Sequence, residues 1–288
     1  MLKKLNIVLK LVILNTAVFV LFNLIHLGFY LFNADESFNS FVEFFTVPSN
    51  LKQLLFHFWT PITYMFLHVD FWHIFGNMLW LFFIGRILIE YIKEKDFVTL
   101  YLLGGLSGAA MYILAFNIFP VFSDVKIFST ALGASASVTA IVIALATYKP
   151  DKELYLFGLV KIKMVFIAVF LVIFDIVLLK GDNAGGHFAH VGGAIYGFIY
   201  GYNLRKGKNL AEKISNIIAK LFSLDFTPKS KARIIKNNLR TKDDLRYNAT
   251  KQDIKKEVDR ILDKISQNGY QSLSKKEKDF LNKFGKDI

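Results

Sequence analysis

No cysteine occurs in the 288 residues, so neither a disulfide framework nor a thiolate-held metal can contribute to this protein. The N-terminal stretch MLKKLNIVLKLVILNTAVFVLF lacks a clean small-residue cleavage site, and its apolar part exceeds the length of a signal-peptide h-region. It reads as a retained first span. The histidines also lack the intervening acid of an HExxH zinc motif: His68 and His73 stand five apart, His187 and His190 three apart. Metal chemistry is therefore the minor reading of these residues, and no metal or other cofactor is expected. No inverted repeat with paired broken helices is visible, which sets a transporter aside.

What is present is apolar bulk. Hydrophobic residues make up 54% of the chain, 30 of them phenylalanine, and the mean hydropathy is +0.41. A soluble domain holds near half apolar residues with far fewer aromatics. Runs approaching the roughly 20 residues that cross a bilayer give the excess a place. The expected fold is all-α: a polytopic membrane bundle of six spans, over residues 6–32, 69–91, 97–119, 130–148, 163–180 and 184–203.

The formal charge of +12 sits almost entirely after the last span, where residues 204–288 carry 22 Lys and Arg against 11 Asp and Glu. Two parts follow, a membrane core over 1–204 and a basic cytoplasmic tail over 205–288. With the N-terminus inside, Lys3, Lys4, Arg86, Lys93, Lys95, Lys149, Lys152, Lys161, Lys163 and the tail share one side. The other side keeps Lys52, Lys126 and Lys180. This bias predicts cytoplasmic N- and C-termini. With no organelle-type presequence, it places the chain in a bacterial cytoplasmic membrane.

The first external loop, residues 33–68, holds Phe41, Phe44, Phe45, Leu54, Leu55, Phe56, Phe58 and Trp59 among polar residues. Such a loop is expected to lie in the membrane interface, where aromatic rings are favoured. Gly104 and Gly108, and the series Gly193, Gly197 and Gly201, have the spacing that lets helix backbones approach in lipid.

Ionisable and amide side chains inside spans are costly and usually mark function. Three groups stand out: HVDFWHIFGN with His68, His73 and Asn77; GASAS with Ser135 and Ser137; and GGHFAHVGG with His187 and His190. In the orientation above, all three lie in the outer halves of spans two, four and six. His73 and Asn77, four apart, share a helix face and offer two donors. A serine needs a base to become a nucleophile, and donors aimed at a developing oxyanion usually give the largest rate term. The parts fit acyl transfer. A triad carboxylate is lacking: Asp175 is the only acid deep in the last spans and lies nearer the middle of span five. A Ser–His dyad is therefore expected, with no catalytic role for Asp175 and a structural one for His187.

With these residues assembled, the chain resembles the rhomboid intramembrane serine proteases over about residues 1–203. It carries that family's HxxxxHxxxN (His68, His73, Asn77), its GxS (Gly133, Ser135) and its AHxxGxxxG (Ala189, His190, Gly193, Gly197). The resemblance implies Ser135 as nucleophile and His190 as general base and acid. It implies an oxyanion site of Asn77, His73 and the Ser135 backbone N–H, with His68 tying down the first loop. Its substrates would be single-span membrane proteins, unwound near the outer face and entering from the lipid past span five. The chain departs from the family pattern at Ala136, where GxSG is usual. It departs also at Thr139, where a bulky aromatic often sits, and at Thr60, after Trp59, where Trp-Arg is frequent. A proteolytically silent relative that binds transmembrane helices is the alternative.

In the tail, Ile254, Val258, Ile261, Leu262 and Ile265 share one helical face ending at Asn268-Gly269. Ser274 and Glu277 have capping-box spacing for a second helix. Lys229, Lys231, Arg233, Lys236 and Arg240 suit either a solvated linker or contact with anionic headgroups, and nucleic-acid binding is not expected.

Overall fold

Small residues decide how closely the helices of this protein can approach, and the arrangement is built outward from one of them. The computed structural model describes residues 5–156, 160–212, 214–217 and 257–284 and divides the chain into two units, Met1–Leu224 and Asp225–Ile288. The chain runs through α1 (Ile7–Leu31), α2 (Asp35–Glu43), β1 (Val47–Pro48), α3 (Leu51–Phe56) and α4 (Thr60–Thr63) into α5 (Phe71–Leu88). Then come α6 (Glu94–Ile118), β2 (Thr130–Ala131), α7 (Ser135–Tyr148), β3 (Glu153–Leu156), β4 (Val160–Lys163), α8 (Met164–Val177) and α9 (Ala184–Arg205).

Six of these helices coincide, within a few residues at each end, with the six apolar segments of the sequence. Three of them, α1, α5 and α6, are long and apolar enough to cross a membrane by length and composition. The helix α7 has 14 residues, roughly 21 Å at 1.5 Å per residue, and so is shorter than a hydrocarbon core. It starts at Ser135, because residues 130–134 form a short strand and a turn instead of the first helical turn. It is also the innermost helix, buried almost continuously from Ala136 to Ala146.

Glycines on both neighbours make that burial possible. A Cβ at Gly193, Gly197 or Gly201 of α9 would overlap the carbonyl oxygens of Ala136, Ala140 and Ala144 on α7. From α6, a Cβ at Gly104 or Gly108 would overlap the methyl groups of Ala140 and Ala136. The α9 glycines meet α7 at a constant offset in sequence, so these two helices run in the same direction; α6 runs against both. The contact between α6 and α9 is also direct: Ser107 Oγ donates to the Gly192 carbonyl at 2.8 Å.

Around this centre lie α5 and then α1, whose Val8 presses on Gly85 of α5. Most of α1 is uncovered, and its one buried amide, Asn15, donates to the Leu11 carbonyl at 2.9 Å and to Tyr101 Oη at 3.3 Å. An all-helical chain needs two corrections. Val47–Pro48 pairs antiparallel with Thr130–Ala131, and Glu153–Leu156 pairs antiparallel with Val160–Lys163. The second pairing reflects the alternating Glu153, Tyr155, Lys161 and Lys163, a period-two pattern that helical hydropathy windows do not register.

The first loop forms three short helices with an aromatic cluster between them. Phe41 and Phe45 pack on Phe22 of α1, and Trp59 lies against Phe44 and donates to its carbonyl at 2.9 Å. Beside that cluster Leu55, Phe56 and Phe58 are each more than 70% exposed.

In the second unit, a helix over residues 257–268 ends at Gly269, whose φ of +74° gives the left-handed cap that glycine favours. Val258, Ile261 and Leu273 are buried, while Leu262 is exposed; Ile254 and the basic residues 229–240 lie outside the described residues. The following helix, Lys275–Phe284, opens with a reciprocal capping box. Glu277 accepts from the Ser274 N–H at 2.8 Å and Oγ at 2.9 Å, and Ser274 Oγ accepts from the Glu277 N–H at 3.3 Å.

Two outcomes follow from this architecture. Gly197→Ala should cost about 1–3 kcal/mol, because α9 must lift from the α7 backbone. Thermal unfolding in detergent reads this as a lowered Tm. Gly28→Ala, with nothing within 4 Å of the added methyl, should leave Tm unchanged or raise it. In the tail, the Ser274 backbone N–H first, then the Lys264 ammonium and the Ser274 hydroxyl, hold the Glu277 carboxyl down to about 2 from 4.5. A carboxyl depressed on folding contributes stability above its unfolded value and loses it as pH falls toward the folded one. The contribution should therefore be full above about pH 4.5 and gone by about pH 2. Carboxyl-carbon NMR of Glu277 in the full chain checks this, and Ser274→Ala should return the midpoint toward 4.5.

Candidate functional site

The break between β2 and α7 creates the site. Gly133 sits at φ +117°, a conformation that strains any side chain, and its N–H donates to the Tyr64 carbonyl at 2.9 Å. A Cβ there would stand 2.7 and 2.8 Å from Cε1 and Nε2 of His73, so the glycine lets that imidazole lie flat against the turn. Ser135 is the first helical residue after it. The N–H groups of this first turn have no carbonyl partner inside the helix and are aimed where an anion would be stabilised.

Ser135 and His190 open onto one cavity of about 860 Å³, which His73, Asn77 and Gly133 also line. The packing register accounts for the meeting. Gly193 faces Ala136, so one turn earlier His190 stands level with Gly133 and Ser135. Among the described residues Ser135 Oγ has no hydrogen-bond partner. Catalytic hydrogen bonds are often long before substrate binds, so a free Oγ facing the same space as an imidazole is compatible with a resting pair.

The donor side differs in detail from the sequence reading. Asn77 Nδ2 donates to the His73 carbonyl at 3.0 Å and pairs with His68 Nε2 at 3.2 Å, which engages both amide hydrogens. His68, at the end of the first loop, accepts through Nε2 from the Ala134 N–H at 3.3 Å as well as from Asn77. The ring is buried and joins the start of α5 to the turn before Ser135. His73 is held through its backbone, whose N–H donates to the Asp70 side chain at 2.7 Å in an N-cap.

The larger correction concerns Asp175. The expectation that no acid lies level with His190 fails: Asp175 Oδ1 is 2.7 Å from His190 Nδ1 and 2.8 Å from His187 Nδ1. Asp175 stands five residues before the end of the apolar segment 163–180 and His190 six after the start of α9, so the two lie level across the turn between the helices. There it meets the first turns of α9, where His187 and His190, three apart, share a face. His187 shares this acceptor with the candidate base. The sequence signal was available: Asp175 is the single ionisable residue in MVFIAVFLVIFDIV.

Asp175, His187 and His190 are also the group, among the described residues, whose ligand atoms converge as a metal would require, all within 4.8 Å. Two hydrogen bonds to one carboxylate oxygen account for the convergence without an ion. The departure at Ala136 is likewise explained. Its methyl group occupies the space left by Gly108 of α6, while its carbonyl meets Gly193 of α9.

Against known proteins, residues 55–207 match the Rhomboid domain and residues 241–287 match a family of unknown function (DUF6576). The chain is 29% identical over 212 residues to RHOMBOID-like protein 12, mitochondrial, of Arabidopsis thaliana. That alignment takes in 70% of this chain and 60% of the relative, so the chain spans less than two thirds of the relative's length. A Rhomboid domain over more than half of the chain, carried on helices of membrane length, makes this integral membrane protein a member of the rhomboid family.

Proposed function

We propose that the protein is an intramembrane serine endopeptidase that cleaves transmembrane segments, with Ser135 as nucleophile and His190 as general base and acid. The observation that carries the reading is the shared cavity. A serine at a helix N-terminus and an imidazole from another helix face the same space, next to the first-turn N–H groups of α7.

The reaction would proceed in two halves. The Ser135 Oγ–H proton passes to His190 Nε2 as Oγ bonds to the carbonyl carbon of the substrate. The Ser135 N–H and His73 would donate to the resulting oxyanion, joined by Asn77 if it releases the His68 or His73 acceptor. His190 then returns the proton to the leaving nitrogen as the C–N bond breaks. Water attacks the ester carbonyl, gives a proton to His190, and the acid product leaves as Oγ regains its hydrogen.

The membrane setting of this proposal has six spans with both termini on the cytoplasmic side of a bacterial membrane, as the lysine and arginine bias suggests. The exposed Leu55, Phe56 and Phe58 would lie in the bilayer interface, and the basic tail segment against anionic headgroups. Substrates would be single-span proteins whose segment unwinds near the outer face, since an intact helix shields its peptide bonds.

A second reading, a silent rhomboid-like protein that binds transmembrane helices, draws on the engaged Asn77 amide and the free Ser135 Oγ. Purified protein in liposomes with a single-span reporter separates the two. The endopeptidase should cleave the reporter and be labelled by a fluorophosphonate. Ser135→Ala and His190→Ala should each lower cleavage by at least about a thousandfold, and Ser135→Ala should abolish labelling. Cleavage that persists in Ser135→Ala would exclude this nucleophile, and reporter binding without cleavage would favour the silent reading.

A further inference from the structure

We propose that Asp175 is the positioning residue for His190, extending the dyad to a Ser135–His190–Asp175 arrangement in which the carboxylate comes from α8. The inference rests on the endopeptidase reading above and deepens it.

Three observations carry it. First, the contact lies on the correct nitrogen. Asp175 Oδ1 is 2.7 Å from His190 Nδ1, so the proton is held on Nδ1 and the lone pair stays on Nε2, the nitrogen left to take the Ser135 proton. Second, the Asp175 side chain is 9% exposed, and among the described residues no lysine or arginine is paired with it. A buried carboxylate with no cationic partner is costly unless something else answers its charge. The imidazolium that forms when His190 accepts the serine proton would do so at the step where charge separation is hardest. Third, His187 Nδ1 lies at 2.8 Å from the same Oδ1, so a second N–H holds that oxygen in place from the other side. The proton taken from Ser135 stays on Nε2 until the leaving nitrogen receives it, and Asp175 remains ionised throughout.

The seating of α8 adds weight to the contact. Apolar crevices of about 450 and 310 Å³ lie on the side of α8 that faces α7 and α9. Among the residues of α8 only Met164, Ile167 and Asp175 are buried. Near its end the helix is therefore tied to α9 through polar contacts at one atom, Oδ1.

The test compares wild type, Asp175→Asn and Asp175→Glu of the full chain in liposomes, with reporter cleavage and fluorophosphonate labelling. An asparagine amide would donate to Nδ1 and move the proton to Nε2, so Asp175→Asn should lower kcat by about a thousandfold or more. KM should change less than about threefold, labelling should slow in proportion to kcat, and Tm should stay near the wild-type value. Asp175→Glu should recover at least tenfold over Asp175→Asn. A kcat within tenfold of wild type in Asp175→Asn, or a loss confined to KM and Tm, would overturn the proposal while the dyad stands. A wild type that neither cleaves nor labels removes the endopeptidase reading and this one with it. Histidine 15N NMR of the Ser135→Ala protein, assigned through His190→Ala, supplies a readout independent of variant folding at Asp175. Neutral His190 should carry its hydrogen on Nδ1, and an Nε2–H tautomer would overturn the assignment.

Discussion

The approach of α7 to the backbones of α6 and α9 is the constraint on which the remaining structure depends. Lipid supplies little hydrophobic drive for helices to associate, so packing contacts must do it, and backbone approach is where they are densest. Gly193, Gly197 and Gly201 hold α9 in one register against α7, and Gly104 and Gly108 hold α6 against the methyl groups of the same α7 residues, Ala140 and Ala136. That register does more than stabilise. It sets His190 level with the Gly133 turn, and the turn in turn fixes where α7 begins and therefore where Ser135 points. Ser135 and His190 are thus brought level by helix contacts at glycine and alanine.

A second layer of placement is polar and equally specific. His68 accepts from Ala134 and Asn77, Tyr64 Oη donates to the Gly105 carbonyl at 2.5 Å, and Tyr101 Oη donates to the Met65 carbonyl at 2.8 Å. His68 and Tyr101 thereby satisfy backbone groups outside the α-helices, at Ala134 and Met65, while Tyr64 joins the second stretch to α6. Irregular backbone at membrane depth is tolerated only where such partners exist. The site therefore lies where helical hydrogen bonding is interrupted, and the interruption leaves the N–H groups of the Ser135 turn free.

Much of this was legible in the sequence, for identifiable reasons. Long apolar runs and four-residue glycine spacing are local patterns, and they located the helices and the faces that touch. His68, His73, Asn77, Gly133, Ser135 and His190 were conspicuous because polar groups in apolar runs are few. Asp175 is equally conspicuous, and counting from the turn shows its depth: it lies five residues before the end of its segment, and His190 lies six after the start of the next. The acceptor role of His68, by contrast, was hidden. Its partners Ala134 and Asn77 are a backbone N–H and an amide brought close by tertiary packing, and no spacing rule encodes them. The strand pairing of Glu153–Leu156 with Val160–Lys163 was missed because only its polar alternation signals it.

The departures from the usual family pattern can be weighed on the same physical footing. Replacing glycine by alanine beside a nucleophile adds a methyl group to the most crowded helix of the protein, and overpacking at such a site is normally destabilising. Here the volume is taken from α6, since Gly108 presents no side chain where the Ala136 methyl lies. The Ala136 carbonyl still meets Gly193, so the α7–α9 register that aligns Ser135 with His190 is preserved. The added methyl group is thereby taken up at α6, although Ala136 itself lines the cavity shared by Ser135 and His190. Nothing in the structure explains Thr139 in the same way. The support that an aromatic ring would give His190 from α7 has a counterpart in the carboxylate that reaches its Nδ1 from α8. Steric support would constrain the ring without selecting a tautomer, whereas Asp175 does both, so its contact is the more demanding of the two on the position of α8.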